Sequence, residues 1–402
     1  MNRRKGLFIL HVEDDYLDSL GNIPSLGMPE AGGMLRIWEE IFASSDSRVR
    51  IEESREFFPV VQLMLEQIAK GEKDYSVYYD DDFNDNIWSY FCERTNFRID
   101  RPIRIQLRFV LNEKLIDYRR DPKRSNLYIH NLLRLIAQIP AFDIEIMDRG
   151  EEKDTALFSY EDTFNGVTFC KNGNLEGLCF SMNQRLGQLA LEELQESFAK
   201  RRKIMCLREE FSDFRQVLEE KGGQVRAYGY VPYIYLYMGS QELREKMYTE
   251  HAIDRAEYEI WGMFHTFLVG EKIENARYIV SAKAVSDAYE QGIVKVHGGM
   301  MQLEKYKNDF LKDMDWAHRF LQDKGTLFLG SEKSLKLDIP KIMIYSEPKH
   351  SMLIRTNVNK RYHLTRVANE VVQEELAGAV YHYLDSIYRG DISLPPLKYA
   401  NL

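Results

Sequence analysis

The chain has 402 residues, of which 44% are hydrophobic and 29% are charged. This composition is typical of globular proteins and excludes wholesale disorder. The 54 basic and 63 acidic residues give a net charge of −9, which argues against generic duplex DNA as a partner, since dedicated DNA-binding domains are usually basic.

The first 150 residues alternate between strand-like apolar runs and segments with the apolar spacing of helices. Such alternation predicts an α/β region, a mostly parallel sheet with flanking helices. Ser125 is the predicted N-cap of the last helix in this region. The predicted strands are 7–12, 49–52, 75–79, 103–111 and 142–147, and the predicted helices are 33–43, 59–70, 84–94 and 126–138.

A charged segment at 148–154 is the predicted boundary between two domains, 1–150 and 151–402. The second domain begins with short strands near 156–160, 167–171 and 178–182. Asn-Gly pairs between these strands, at Asn165-Gly166 and Asn172-Gly173, predict hairpin turns, because Asn and Gly accept a positive φ at little cost.

The rest of the chain predicts an α+β, largely helical region. Asp254 and Glu257 have the spacing of a capping box at the start of one helix. The last helix is marked by an apolar stripe from Leu364 to Ile387. The predicted helices are 184–203, 254–268, 301–323 and 364–389, with a hairpin formed by 342–345 and 352–355.

Familiar catalytic motifs are absent from the sequence. It has no phosphate-binding GxxxxGK[ST] loop, no GxGxxG after the first predicted strand, no GxSxG elbow and no HExxH zinc motif. Whether the protein is an enzyme is therefore left uncertain, and no catalytic residue or cofactor is assigned.

Two acidic clusters follow predicted strands. Asp14 and Asp15 follow the first strand, and Asp80 and Asp82 follow the strand at 75–79. Ligands of open parallel sheets bind at the carboxyl ends of the strands, and clustered carboxylates suit Mg²⁺ or Mn²⁺. The alternative interpretation of both clusters is a solvated loop.

Candidate ligand-binding residues come from a tyrosine-rich segment and a basic segment. In a strand at 233–238, Tyr233, Tyr235 and Tyr237 would share one face and could stack a planar ligand. Arg119 and Arg124 precede a predicted helix start at Asn126, where free amides attract anions. A buried strand and a solvated basic face are the respective alternatives.

These patterns favour a non-catalytic cytoplasmic protein with a regulatory, ligand-binding or protein-interaction role. The alternatives are a Mg²⁺- or Mn²⁺-dependent enzyme of phosphoester or nucleotide chemistry and a self-assembling component. The expected partner is an unspecified small molecule or protein, homo-oligomerisation is left open, and no membrane partner is expected. The four cysteines lack CxxC spacing and suggest reduced thiols in the cytoplasm.

Overall fold

The computed structural model describes most of the chain between Arg48 and Arg389. The described ranges are 48–51, 74–80, 82, 105–138, 142–149, 155–160, 164–171, 174–181, 184–208, 227–231, 233–268, 276–296, 299–314, 327–330, 342–355 and 368–389. The predicted elements at 7–12, 33–43, 59–70 and 84–94 lie outside these residues.

The chain forms two compact units, each assembled from two segments. One consists of Met1–Asn112 and Ala141–Ile204, and the other of Glu113–Pro140 and Met205–Leu402. Both units contain strands and helices, so the α/β class is confirmed at this level. The predicted domains 1–150 and 151–402 are parts of the chain that would fold separately. This division stays a prediction.

The first unit contains a mixed sheet with the strand order β1-β7-β6-β5-β2-β3-β4. Strands β2, β3 and β4 are parallel, and the remaining pairs are antiparallel. Residues Val77, Phe109 and Ile144 are buried, as expected for the middle of a parallel sheet. The strands are β1 (Arg48–Ile51), β2 (Tyr75–Tyr79), β3 (Ile105–Leu111), β4 (Phe142–Asp148), β5 (Thr155–Tyr160), β6 (Phe164–Lys171) and β7 (Asn174–Ser181).

One described helix packs on this sheet. Helix α3 (Gln184–Ala199) contacts β2, β5 and β6. Its buried Leu194 and Phe198 pack with Tyr78, Val110 and Met147, and the rings of Tyr78 and Phe198 meet edge to face at 5.4 Å. The end of α3 is therefore fixed beside the carboxyl end of β2.

In the second unit, the strands of the mixed sheet follow the order β16-β15-β14-β9-β10-β13. From Met205 onward, β8 pairs antiparallel with β16. The strands β9, β10 and β13 are parallel, whereas β14, β15 and β16 pair antiparallel. The strands are β8 (Lys203–Arg208), β9 (Ala227–Val231), β10 (Ala276–Ser281), β13 (Leu327–Gly330), β14 (Ile342–Glu347), β15 (His350–Arg355) and β16 (Ala368–Val371).

Three helices cover one part of the second unit. They are α1 (Glu113–Ile116), α2 (Pro122–Gln138) and α8 (Glu374–Arg389). Helix α8 contacts β9, β14, β15 and β16 as well as α1 and α2. Its buried side, from Leu376 to Ile387, matches the apolar stripe of the sequence, and the Tyr383 hydroxyl lies 2.9 Å from His130 Nδ1. The side chains of α8 at positions 381, 382, 385 and 388 are partly exposed and lie outside this buried face.

A second core of this unit is built from short elements. Trp261 and Phe310 are fully buried at its centre. Glycine at 239 permits this packing, because an added Cβ would lie 3.0 Å from Trp261 Cζ2. The elements are the 3₁₀ turn Leu236–Met238, α4 (Gln241–Thr249), α5 (Arg255–Leu268), α6 (Ala282–Ser286), the π-helical turn Asp287–Gln291, the hairpin β11 (Ile293–Val296) with β12 (Gly299–Gln302), the 3₁₀ turn Glu304–Tyr306, and α7 at 307–314.

Several sequence predictions of elements are confirmed. The strand at 75–79 is β2, and the hairpin around 346–350 is the β14–β15 pair. Helix α5 begins after Asp254, whose Oδ1 accepts the Glu257 amide at 2.8 Å. The antiparallel pairing of β6 with β7 continues to Lys171 and Asn174, on either side of the predicted Asn172-Gly173 turn.

Other element predictions are wrong. Residues 368–371 are strand β16 instead of the start of the last helix, because they pair with both β15 and β8. Asn165 and Gly166 lie within β6 and pair with both neighbouring strands, so they form no turn. Residues 299–302 form β12 and pair with β11, so the helix predicted at 301–323 begins only at 307.

The helix predicted at 184–203 also ends earlier than expected. Helix α3 stops at Ala199, and Lys203 begins β8. The Lys203 ammonium pairs with Glu145 of β4 at 2.8 Å, so this last residue of the predicted helix forms an ion pair on the sheet instead. Among the described residues, no helix is both long and apolar enough to cross a membrane.

Candidate functional site

The two aspartates predicted as an acidic cluster at the end of β2 both contact other groups of the protein. Asp80 is buried and forms an ion pair with Arg201. Asp82 is buried and its Oδ2 accepts the Asn112 amide at 2.7 Å. Asp14 and Asp15 lie outside the described residues, and within those residues no group of three or more His, Cys, Asp or Glu side chains is arranged to hold a metal. The predicted metal site stays a prediction.

The tyrosine segment does not form the predicted strand. Tyr235 makes one bridge with Lys295 and is followed by the 3₁₀ turn Leu236–Met238. Tyr235 and Tyr237 are buried, and their rings stack on each other at 4.8 Å. Tyr233 is partly exposed and meets Tyr235 edge to face at 6.3 Å. Tyr235 and Tyr237 belong to the hydrophobic core of this unit, and Tyr233 packs against that core.

A buried lysine lies beside this segment. The Lys295 side chain is 5.7 Å from the centre of the Tyr233 ring, and its backbone amide donates to the Ile234 carbonyl at 2.7 Å. Burial lowers the pKa of Lys295, and the nearby carboxylate of Glu257 partly opposes this. The tyrosine segment is therefore held against β11 by backbone contacts, and the Lys295 side chain lies beside the Tyr233 ring.

The two predicted anion-binding arginines lie in different settings. Helix α2 begins at Pro122, and Asp121 Oδ1 accepts the Arg124 amide at 3.1 Å. The prediction of Ser125 as N-cap is wrong, because its hydroxyl donates to the Ile116 carbonyl at 3.1 Å. The argument from a helix start at Asn126 therefore loses its basis, although Arg119 remains exposed in the turn before α2.

The turn that carries Arg119 faces helix α8. The ring of Tyr118 is stacked on His382 of α8, with centroids 4.3 Å apart and planes 7° from parallel. Asp117 fixes this turn, because its Oδ1 accepts the amides of Arg119 and Arg120 at 3.1 and 3.2 Å. Arg119 is close enough to His382 to act on its charge.

Aromatic and basic side chains continue along the same side of α8. Positions 381, 385 and 388 repeat at helical spacing, and 382 and 389 lie beside them. The Tyr381 and Tyr388 rings contact Tyr228 of β9 at 5.0 and 5.7 Å. We call this surface the tyrosine–arginine patch; it consists of Tyr118, Arg119, Tyr228, Arg277, Tyr381, His382, Asp385, Tyr388 and Arg389.

A hydrogen-bond network orders one end of the patch. The buried Tyr228 hydroxyl donates to Asp385 and accepts from Arg277 Nη1 at 3.1 Å. Arg389 binds Asp385 through two contacts of 3.1 and 3.0 Å. Burial and the Asp385 carboxylate raise the pKa of Tyr228 to about 12 against the opposing effect of Arg277. With three arginines and one aspartate, the patch carries excess positive charge.

The other end of the patch centres on His382. Partial burial lowers the pKa of this imidazole, Asp385 opposes the effect, and Arg119 and Arg389 lower the pKa further. The neutral ring stacks well on Tyr118. A negatively charged group placed near the two arginines would remove the repulsion that disfavours a protonated His382.

Sequence reasoning identified Arg119 and missed the rest of the patch. One indication was present, because Tyr381, His382, Asp385, Tyr388 and Arg389 are polar or amphipathic residues beside the apolar stripe of the last helix. Their proximity to residues 118, 119, 228 and 277 depends on tertiary packing. No local pattern in the sequence reports that packing.

Comparisons with known proteins assign no family. No protein-family profile and no curated protein matches the chain. Among solved structures, the chain is similar to TrmBL2, an archaeal chromatin protein whose structure shows a novel mode of DNA binding. The similarity has 12% identity and a TM-score of 0.24, and it covers 47% of this chain and 68% of that one. At this TM-score the likeness carries no argument about function.

The partner expectation drawn from composition is corrected. It excluded generic duplex DNA on the net charge of −9, in favour of a small molecule, a protein or a second copy. This exclusion is corrected, because a DNA-binding protein is found among the similar structures; the likeness does not assign DNA as a partner of this chain. The physical reason is that net charge averages over the whole chain, whereas binding depends on local charge. The exclusion of duplex DNA is therefore withdrawn.

Proposed function

We propose that the chain is a non-catalytic protein that binds a planar, phosphate-bearing ligand of the nucleotide class at the tyrosine–arginine patch. The observation that carries the proposal is the parallel Tyr118–His382 pair beside the exposed Arg119. Aromatic rings stack on nucleobases, and a guanidinium pairs with phosphate oxygens. The two features occur here on one continuous surface.

The aromatic side chains support the base-binding part of the proposal. Tyr118, Tyr381, His382 and Tyr388 are all partly exposed, and they are held by neighbouring rings at 4.3 to 5.7 Å. Stacking of one base on an aromatic side chain contributes about 1–3 kcal/mol. Because the rings are already ordered, little side-chain freedom remains to be lost on binding.

The arginines support the phosphate-binding part. The Arg119 guanidinium has no hydrogen-bond or ion-pair partner among the described residues. Arg277 is already oriented, since it donates to Tyr228 and lies 5.1 Å from the Tyr388 ring. Arg389 is bound to Asp385 but is 61% exposed. The patch thus offers one available guanidinium between ordered neighbours.

The proposed role is binding without catalysis. The sequence lacks the phosphate loop, nucleophile elbow and zinc motif of common enzymes. The residues that could act as bases, His382 and Asp385, are stacked or ion-paired. A metal-dependent phosphoester enzyme using Asp14, Asp15, Asp80 and Asp82 stays an alternative from the sequence, and no observation on the described residues favours it.

Calorimetric titration of the full chain with the four nucleoside 5′-monophosphates tests the proposed function. We expect at least one to bind with a Kd on the order of 10 μM to 1 mM. Arg119→Ala should weaken this binding by about tenfold, the effect of losing one charge-assisted hydrogen bond.

Arg120→Ala is the matched control for this titration. Arg120 is an exposed neighbour in the same turn, and its amide shares the Asp117 acceptor, but its charge is not among those that act on His382. We expect this variant to bind within about twofold of the unaltered chain. Absence of binding by all four nucleotides, or equal losses in the two variants, would contradict the proposal.

We also propose an arrangement of the two regions of the chain and a cytoplasmic location for the protein. We infer a mostly parallel sheet in the N-terminal region and a largely helical C-terminal region from the spacing of apolar residues. A regulatory role in the cytoplasm accompanies nucleotide binding. The four cysteines, which lack CxxC spacing, support a cytoplasmic location. A cysteine-modification assay on freshly lysed cells would test whether the thiols are reduced.

A further inference from the structure

Aromatic rings form an unbroken series of contacts along the tyrosine–arginine patch. The Tyr118 ring is stacked on His382 at 4.3 Å, and His382 meets Tyr381 edge to face at 5.7 Å. The Tyr381 ring contacts Tyr228 at 5.0 Å, and Tyr228 contacts Tyr388 at 5.7 Å. The four partly exposed rings therefore form one aromatic strip, whose two parts are joined by the buried ring of Tyr228.

The two ends of this strip lie about two helical turns apart. His382 and Tyr388 are separated by six positions on α8, which is about 9 Å of helix axis at about 1.5 Å for each residue. Tyr118 extends the strip beyond His382. Successive phosphates of one strand of a DNA duplex lie about 3.4 Å apart along its axis. The strip is therefore about as long as three stacked nucleotides, and one nucleotide would cover only part of it.

An arginine accompanies each end of the strip. Arg119 follows Tyr118 in the turn before α2 and is exposed. At the other end, Arg277 of β10 is the register partner of Tyr228 in the neighbouring parallel strand. Its guanidinium donates to the Tyr228 hydroxyl at 3.1 Å and lies 5.1 Å from the centre of the Tyr388 ring. It makes no further hydrogen bond or ion pair with the described residues, so its remaining N–H groups are available to a phosphate.

We propose that the tyrosine–arginine patch binds single-stranded nucleic acid over about three to four nucleotides, with Arg119 and Arg277 contacting different phosphates of the strand. This inference rests on the proposed nucleotide-binding function and names the class of ligand, a strand instead of a free nucleotide. Bases stack on the partly exposed rings of the strip, and the two guanidinium groups pair with the backbone. The Arg389 guanidinium is ion-paired with Asp385 and is assigned no phosphate.

The chemistry of the strip favours a single strand as its occupant. Base–aromatic stacking requires bases whose faces are accessible, as they are in single strands. Each nucleotide of a strand also adds a negatively charged phosphate, so a strand that follows the strip presents one phosphate to Arg119 and another to Arg277. A free nucleotide has a single base and a single phosphate group, and it leaves the other end of the strip uncovered.

A series of ligands of increasing length tests this inference. The full chain is titrated calorimetrically with the nucleoside monophosphate that binds most tightly and with homo-oligomers of the same base of two, four and eight nucleotides, as RNA and as DNA. We expect affinity to rise about ten- to hundredfold from the monophosphate to the tetranucleotide, because further bases and a second phosphate make contact. From four to eight nucleotides it should rise by at most about threefold for each binding position, because the strip is then filled. Binding of either sugar form supports the inference, and the tighter one identifies the source of the strand.

Two comparison ligands separate stacking from charge. A tetranucleotide backbone without bases carries the same phosphates, and it should bind at least about tenfold more weakly than the tetranucleotide with bases. A blunt DNA duplex, in which the bases stack on each other, should bind more weakly than one of its separated strands. Equal affinity for the base-free backbone, or tighter binding of the duplex than of its strand, would overturn the inference.

Variants of Arg277 test the second phosphate contact. Arg277→Gln removes the charge but keeps an N–H group for Tyr228, and it should weaken tetranucleotide binding about tenfold, the effect of losing one charge-assisted hydrogen bond. The loss should be at least about threefold larger for the tetranucleotide than for the monophosphate. Arg277→Lys keeps the charge and should lose less. The slope of log affinity against log salt should fall by about 0.7 in Arg277→Gln and in Arg119→Ala, whereas the Arg120→Ala control keeps the unaltered slope.

Variants of Tyr388 test the contribution of the strip. Tyr388→Leu removes the ring but keeps an apolar side chain, and it should weaken tetranucleotide binding about tenfold, the effect of losing one stacked base. Tyr388→Phe keeps the ring and should bind within about threefold of the unaltered chain. Far-ultraviolet circular dichroism confirms that the variants are folded. Equal losses in Tyr388→Leu and Tyr388→Phe would show that stacking on this ring is not part of recognition and would overturn the inference.

The outcomes separate this inference from the proposed function. Monophosphate binding with no gain for the tetranucleotide, or equal losses for the two ligands in Arg277→Gln, overturns the strand site and leaves nucleotide binding intact. Oligonucleotide binding without detectable monophosphate binding supports the strand site, and the affinity expected for single nucleotides is then wrong. If neither monophosphates nor oligonucleotides bind the unaltered chain, both the proposed function and this inference are wrong.

Discussion

At the residue scale, Tyr228 links the stability of the protein to alkaline pH. Its folded-state pKa is raised to about 12 by burial and by Asp385, against the opposing effect of Arg277, whereas an unfolded tyrosine titrates near 10. The folded state therefore holds a proton that the unfolded state loses between these values. The resulting stabilisation is complete below pH 10 and is lost as the pH rises through 12.

Tyr228→Phe should remove this dependence. We expect the free energy of unfolding, measured with urea at pH 8, 10 and 11, to fall less steeply with pH in the variant than in the unaltered chain. At pH 8 the variant should be less stable by about 1–2 kcal/mol, because Arg277 and Asp385 lose their shared hydroxyl. Parallel pH profiles for the two proteins would show that the raised pKa is wrong.

At the element scale, the second core of the second unit depends on close approach at one glycine. An added Cβ at position 239 would lie 3.0 to 3.2 Å from Trp261, Phe310 and Leu243, all of which are buried. Gly239→Ala should therefore lower the free energy of unfolding by about 1–3 kcal/mol through overpacking. Urea titration followed by tryptophan fluorescence measures this change.

Gly262→Ala in α5 is the matched control. Its Cβ would lie 2.6 to 2.8 Å from the Arg244 guanidinium, which is the end of a flexible side chain and can move. The variant loses the contact of Arg244 with the Tyr258 ring at 3.8 Å, about 0.5–1 kcal/mol, and gains about 1 kcal/mol of helix propensity. We expect little net change, and equal losses at both positions would contradict the packing argument.

Elements with local determinants could be predicted from the sequence, whereas elements set by pairing could not. Asp254 identifies the start of α5 by its own side chain. Residues 368–371 fit the apolar spacing of a helix, but two neighbouring strands incorporate them into a sheet. The tyrosine segment alternates like a strand, yet its residues 236–238, which pack against α5 and β11, form a 3₁₀ turn.

The same division applies to the candidate site. Arg119 was predicted because it belongs to a visible basic run. His382, Tyr228 and Arg277 come from distant parts of the chain, and each has an ordinary local context. Their chemistry arises from contacts such as the stacking of His382 on Tyr118. A single sequence contains no record of which distant residues meet, so this part of the site could be found only in the fold.

At the scale of the whole molecule, the net charge of −9 and the positive patch act on an anionic ligand in opposite directions. Screening decides between them, because the Debye length is about 10 Å at 0.1 M salt. At that ionic strength the distant acidic residues are largely screened, while the arginines in contact with the ligand are screened much less. The patch should therefore control binding near physiological salt.

Affinity should accordingly fall as salt is added. Between about 0.05 and 0.5 M KCl, we expect nucleoside monophosphate binding to weaken roughly three- to tenfold. Added salt weakens the attraction between the arginines of the patch and the phosphate of the ligand, although less than it weakens the effect of the distant acidic residues. Adenosine binding should stay constant, and Arg119→Ala should show a shallower dependence than the unaltered chain. Calorimetric titrations across this range measure all three. An affinity for the monophosphate that rises with salt would mean that the overall negative charge dominates at the patch, and the local arrangement of arginines would then not be the basis of recognition.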